Sequence, residues 1–259
     1  MVSYSFTLEA FEYFLLIMVR ITSFVMTAPF FNLDSFPGRV KIGFSGLTSI
    51  LLFYTLPAAS LDYDSVYGYA IIIIKEAMTG LLLGFATNIC TYIVLFSGRL
   101  IDMEVGLSMA TVMDPTTREQ SSLTGTFYNN MIMMMLVVLD MHLFIFRSFV
   151  DCFEVIPISQ AIFDYDHLYQ SMITFITDYM VIGFRIILPV FVSIMLLNVI
   201  LAIMAKVAPQ MNMFAVGMQL KIIVGFMVLY VVTDLMTYIS NYVFEEMKKM
   251  MVLFARGMY

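Results

Sequence analysis

Residues 168–205 read LYQSMITFITDYMVIGFRIILPVFVSIMLLNVILAIMA, and this stretch decides the fold class. It is one continuous apolar run, nearly twice the roughly 20 residues that a simple helical membrane span requires. Its only charges are Asp178 and Arg185, and Pro189 stands inside it. Five further apolar blocks lie at about 8–31, 40–58, 66–98, 123–150 and 214–244. The connections carry the turn residues and most of the charge. Asn32 to Gly38, Pro57 to Asp64, Asp114-Pro115, the acid-rich 151–166 and Pro209 to Asn212 all read as loops or breaks. The pattern predicts an all-α membrane protein in which about six long apolar helical blocks form hairpins, some bent or not crossing the bilayer simply.

Composition agrees with that reading. Of 259 residues, 13 are Lys or Arg and 19 are Asp or Glu. A soluble chain of this length would carry about 65 charges, at roughly 25%. Hydrophobic residues make up 61%, more than a soluble domain of this size can cover with polar surface. An ordinary cytosolic enzyme, a disordered chain and a disulfide-stapled secreted module are excluded. The net charge of -6 leaves no basic patch for nucleic acid. Cys90 and Cys152 form no spacing pattern and read as inert thiols. The start is acidic (Glu9, Glu12), the first base is Arg20, and no small-residue cleavage site follows, so no removable signal peptide is expected. Trp is absent, and the interface belt must come from 15 Tyr and 24 Phe.

The blocks contain charges that lipid would penalise by about 2.5–3.5 kcal/mol each. They are Lys75, Glu76, Asp140, Arg147, Asp178, Arg185, Lys221 and Asp234. Asp178 and Arg185 are seven residues apart, as are Asp140 and Arg147, so each pair marks one helix stripe; Glu12 and Arg20 repeat this at eight. The stripes fit either a water-lined pathway or interhelical ion pairs that fix assembly, and the lack of a dense carboxylate cluster favours ion pairs. Gly80 and Gly84 form a Gly-x-x-x-Gly motif that lets helix backbones approach closely. The 25 methionines suit irregular core packing better than a deformable seal.

The loops give an orientation that the tail then breaks. Arg39, Lys41, Arg99, Arg118 and Lys206 mark one side as cytoplasmic, and the loops at 58–65 and 151–167 hold six acids and no Lys or Arg. Six crossings would put Lys248, Lys249 and Arg256 outside. Either the number of crossings is odd, or some blocks are hairpins that do not cross.

Catalytic signatures fail. There is no His-Glu-x-x-His, Gly106 to Ala110 misses the Gly-x-Ser-x-Gly pattern at its last position, and His142 and His167 have no metal-ligand spacing. No catalytic residue, metal or cofactor is expected. The most unusual segment is 98–122, where an amphipathic stretch leads through Met109, Val112 and Met113 to Asp114-Pro115. Such backbone between spans either lines or re-enters a cavity, or is a plain cytoplasmic loop.

Four stretches carry a resemblance to the FliR family, subunits of the flagellar export gate with counterparts in type III secretion injectisomes. They are Arg20 through Pro29 to Pro37-Gly38-Arg39-Val40-Lys41, then Lys75-Glu76 to Gly84-Phe85, then Ile101-Asp102 to Gly106 and Asp114-Pro115, and finally Ala208-Pro209-Gln210-Met211-Asn212-Met213-Phe214 with Gly217 and Leu220-Lys221. Asp140-Met141-His142 is similar to the family's Gly-His region, with the Gly replaced. The resemblance implies a non-enzymatic, pore-forming core subunit that assembles with FliP-like and FliQ-like subunits, near FlhB-like and FlhA-like export proteins. It implies passage of unfolded flagellar proteins across the bacterial inner membrane, within the flagellar basal body. It implies a FliP-like part over about 1–165 and a FliQ-like part over about 166–259. Gly106, Met109, Val112, Met113, Asp114 and Pro115 would belong to a channel plug. Gly80, Gly84, Pro209, Gln210, Asn212 and Phe214 would pack between subunits. The rival readings are an injectisome subunit and a secondary transporter for a small solute, although the inverted repeats of a transporter are not seen.

Overall fold

The computed structural model describes residues 8–29, 31, 37–57, 61, 63, 65–110, 122–210 and 212–259. Among them the regular structure is helical: α1 (Leu8–Thr27), α2 (Gly38–Thr55), α3 (Val66–Thr87), α4 (Ile89–Val105), α5 (Leu123–Val138), α6 (Met141–Val155), α7 (Tyr165–Val207), α8 (Met213–Thr233) and α9 (Met236–Arg256). The chain is an all-α membrane protein. Four described helices are long and apolar enough to cross a membrane: Leu8–Thr27, Val66–Thr87, Tyr165–Val207 and Phe214–Thr233. The pair α5–α6 is bent by 70° and would make a fifth span if it crosses as one.

The breaks refine the expected six blocks. Block 66–98 is two helices with Asn88 between them, and block 123–150 is interrupted at Leu139 and Asp140. Asp140 has φ +56, a left-handed conformation that Asp tolerates better than most residues. Block 214–244 divides after Thr233, and its second helix continues to Arg256. Asp234 caps the first of these two helices. In contrast, α7 runs through Pro189 for 43 residues, about 65 Å at 1.5 Å per residue. That is roughly twice the 30 Å hydrocarbon core.

The helices form two compact units, interleaved along the chain. One comprises the described residues up to Ile89 with His142–Phe175 and Glu246–Tyr259; the other comprises Cys90–Met141 and Ile176–Glu245.

In the first unit α1 packs on α2 and α3. Its inner face buries Leu16, Ile17, Ile21, Phe24 and Val25. The contact with α3 is backbone-close, since a Cβ on Gly80 would lie 2.2 Å from the Arg20 carbonyl oxygen and one on Gly84 would lie 1.9 Å from Thr27 Oγ1. Gly80 and Gly84 are thus occupied by α1 of the same chain. Asn88 Nδ2 donates to the Thr27 carbonyl at 3.0 Å, covering one of the orphan carbonyls at the end of α1. Phe149 of α6 stacks on Phe24, with ring centroids 3.9 Å apart. The final turn is tied in by backbone bonds from Ile162 N to Met258 O and from Asp164 N to Gly257 O.

A fully buried ion pair ties this unit together. The Arg20 guanidinium donates to the Glu76 carboxylate, and neither side chain is exposed to solvent. Arg20 also donates to the Ile156 carbonyl at 2.7 Å and lies over the Phe153 ring. Glu76 in turn accepts from the Ser159 amide at 2.9 Å. The acid-rich 151–166 connection is therefore not simply a solvated loop, for Ile156, Ile158 and Ala161 are all buried. The pair is interhelical, as the charge stripes favour, and Glu12 on the same α1 stripe has a different contact. Glu12 accepts instead from the Tyr63 hydroxyl, a hydrogen bond that pushes the Tyr63 phenol up to about 12.

In the second unit α4 and α5 meet glycine to glycine, and a Cβ on Gly98 would fall 2.1 Å from the Gly125 Cα. Gly183 of α7 lies against Phe96, and its carbonyl accepts from Ser97 Oγ at 3.2 Å. Gly225 of α8 rests on Val105.

Removing one partner of a buried ion pair leaves an uncompensated charge. Glu76→Ala is expected to cost about 3–5 kcal/mol, read as a lowered thermal unfolding midpoint of the purified protein in detergent. An apolar replacement of both partners, Arg20→Met with Glu76→Leu, is expected to recover most of that loss.

Candidate functional site

The segment between α4 and α5 begins where α4 ends. Gly106 has φ +92, a backbone conformation that glycine adopts without a steric penalty, and its amide closes on the Asp102 carbonyl at 3.1 Å. A single 3-10 turn, Leu107–Ala110, follows. The segment returns at Ser122, the N-cap of α5, whose hydroxyl accepts from the Gly125 amide at 2.9 Å.

Asp102 clasps these two ends. It is 2% exposed. Its Oδ2 accepts from the Ser122 hydroxyl at 2.7 Å, and its Oδ1 accepts from the Thr124 amide at 3.3 Å. One buried carboxylate thus ties the exit of α4 to the entry of α5. Charge-assisted bonds of this kind are about twice as strong as neutral ones. The sequence reading placed Asp102 in a motif without giving it a task. The available signal was an acid in an apolar helix, twenty residues before a Ser-x-Thr helix start.

Beside the stem lies a cavity of about 350 Å³. Met103, Glu104, Gly106 and Ser108 line one side, and Asn198, Phe214, Gly217 and Lys221 line the other. The structure therefore brings Gly106 together with Phe214 and Lys221, which lie more than 100 positions further along the chain. Met109 falls in the 3-10 turn, while Val112, Met113, Asp114 and Pro115 lie outside the described residues. Pro209 and Gln210 form the turn between α7 and α8, and Asn212 caps α8 by accepting from the Ala215 amide at 3.3 Å. Phe214 is exposed.

The remaining intrahelical charges are dispersed. Lys75 is half-buried beside Glu76, and Asp178 is half-buried on α7. Asp140, Arg147 and Asp234 are exposed, and Arg185 donates to the Tyr242 hydroxyl at 2.8 Å. Among the described residues no three His, Cys, Asp or Glu side chains converge as a metal site.

Asp102→Ala removes the acceptor for the Ser122 hydroxyl and the Thr124 amide, leaving buried donors unpaired at a cost of about 1–3 kcal/mol. Faster amide hydrogen exchange is expected at the start of α5, read on peptides covering 122–128.

A model of a family described as bacterial export proteins, family 1, matches residues 11–247. The chain is 31% identical over 253 residues to the flagellar biosynthetic protein FliR of Bacillus subtilis, covering 95% of this chain and 97% of that protein. It is 25% identical to FliR of Buchnera aphidicola from Acyrthosiphon pisum over 85% of this chain and 84% of that one. To FliR of Escherichia coli K12 it is 23% identical, over 88% and 87%. The match spans both compact units, from the first turn of α1 to the middle of α9, and on that ground the chain belongs to the FliR family of bacterial export proteins.

Proposed function

We propose that this chain is a non-enzymatic, pore-forming core subunit of the flagellar type III protein export gate. It assembles with FliP-like and FliQ-like subunits in the bacterial inner membrane, at the flagellar basal body, close to FlhB-like and FlhA-like export proteins. Its cargo is unfolded flagellar protein. The chain divides in role into a FliP-like part over about 1–165 and a FliQ-like part over about 166–259. The segment from Gly106 to Pro115, with Met109, Val112, Met113 and Asp114, closes the channel. Pro209, Gln210, Asn212 and Phe214 serve subunit packing.

The observation that carries the reading is the clasped stem. A membrane chain of an export family invests a buried carboxylate, a left-handed glycine and a serine cap in holding the two ends of one inter-helix segment. A plug needs that anchorage, because it must yield at its tip while its roots stay fixed. Exposed apolar side chains on α7 and α8, such as Val199, Ile203, Phe226 and Met227, supply surface for partner helices beyond what this chain covers. A flagellar rather than an injectisome setting is favoured because the relatives named above are flagellar biosynthetic proteins.

Deleting 109–113 is expected to leave co-purification with FliP-like and FliQ-like subunits intact and to make the membrane leaky to small ions, measured as ion flux across vesicles. An ion-tight membrane around the assembled deletion variant would remove the plug role. Failure of the intact chain to co-purify with those subunits would remove the gate reading.

A further inference from the structure

In the second unit, α7 and the α8–α9 corner enclose a pocket of about 300 Å³. Its floor is Ile182, Ile186 and Val232, all buried, and its rim is Leu235 and Tyr238, both exposed. One ionised group lines it, the guanidinium of Arg185. That guanidinium donates to the Tyr242 hydroxyl and lies 5.8 Å from the ring centre. Asp178, Asp234 and Glu245, the acids nearest in sequence, are not among the lining residues. Pro189 also lines the pocket, and it has no N–H to give the Arg185 carbonyl one turn earlier.

Arg185 sits in a membrane helix, with Val181, Phe184 and Leu188 exposed around it. A cation in such a setting is costly unless it meets an anion or reaches water. A tyrosine hydroxyl orients the guanidinium but cannot neutralise it. The complementary occupant has a single negative charge with paired oxygens for the guanidinium fork, an apolar portion for the isoleucine floor, and a hydroxyl or amine to donate to the Arg185 carbonyl. We propose that this pocket binds an anionic phospholipid, its phosphate on Arg185 and Tyr242 and the start of an acyl chain along Ile182, Ile186 and Leu235.

The test uses the purified full-length chain, delipidated in a non-ionic detergent and titrated with phosphatidylglycerol or phosphatidylcholine of the same acyl composition. Bound lipid is counted by native mass spectrometry. Phosphatidylglycerol is expected to be preferred by about fivefold, the factor for one basic residue facing anionic lipid. Arg185→Gln should abolish the preference, Arg185→Lys should keep part of it, and Ile186→Trp should lower binding of both lipids by filling the floor. Should Arg185→Gln fail to fold, judged by helix content and a single elution peak, Tyr242→Phe reads the same site and should reduce the preference about threefold. An undiminished preference in the folded variants overturns the proposal. It is equally overturned if inorganic phosphate in excess displaces the lipid, which would mark a free-anion site. Loss of co-purification with FliP-like or FliQ-like subunits, with lipid preference intact, would assign Arg185 to a partner's carboxylate instead.

Discussion

Arg20 and Glu76 are both fully buried, and the first unit is arranged so that neither is left with an uncompensated charge. The pair needs α1 and α3 in one register. It also needs the backbone of the connection after α6, whose Ile156 carbonyl and Ser159 amide take up further hydrogen-bonding capacity. The stripped glycine faces at Gly80 and Gly84 let the two helices come close enough for this. Desolvating two charges costs several kcal/mol per ion before their attraction returns anything. The pair is thus better understood as fixing one helix register than as a net source of stability, because any other register would leave a bare ion inside.

The second unit uses the same economy with different parts. Gly98 against Gly125 and Gly183 against Phe96 bring backbones together, and Asp102 supplies the buried acid. Here the acid is matched by a hydroxyl and an amide rather than by a base. Its neighbours are the two ends of a single inter-helix segment. A local hydrogen-bonded clasp holds a stem, whereas an ion pair between distant helices holds a bundle.

The polar string at 208–214 and the acid-rich connection at 151–166 show two fates of similar-looking breaks. Pro209 and Asn212 end one helix and cap the next, as proline and asparagine do wherever they occur together near an apolar run. The acid-rich stretch looks more solvated by composition, yet Ile156, Ile158 and Ala161 are drawn inside. Its apolar residues are too few and irregular to give a period, so only contact with α1 and α3 could reveal their role.

The sequence by itself determined the membrane class, the helical content, the approximate blocks and the family, because these depend on composition, on runs of apolar residues and on short motifs that are local in the chain. It also marked Gly106 and the Pro-Gln-x-Asn-x-Phe string as special. It placed Arg20 and Glu12 on one helix stripe and favoured interhelical ion pairs without naming the partner, and it left Asp102 without a task. Only the tertiary structure decided that Arg20 meets Glu76, 56 positions away, and that Asp102 meets Ser122, 20 positions away. Helical periodicity states which residues share a face; it does not state which face of another helix will cover it. That choice is made by the requirement that every buried charge and backbone group find a partner at once, a condition on the whole fold.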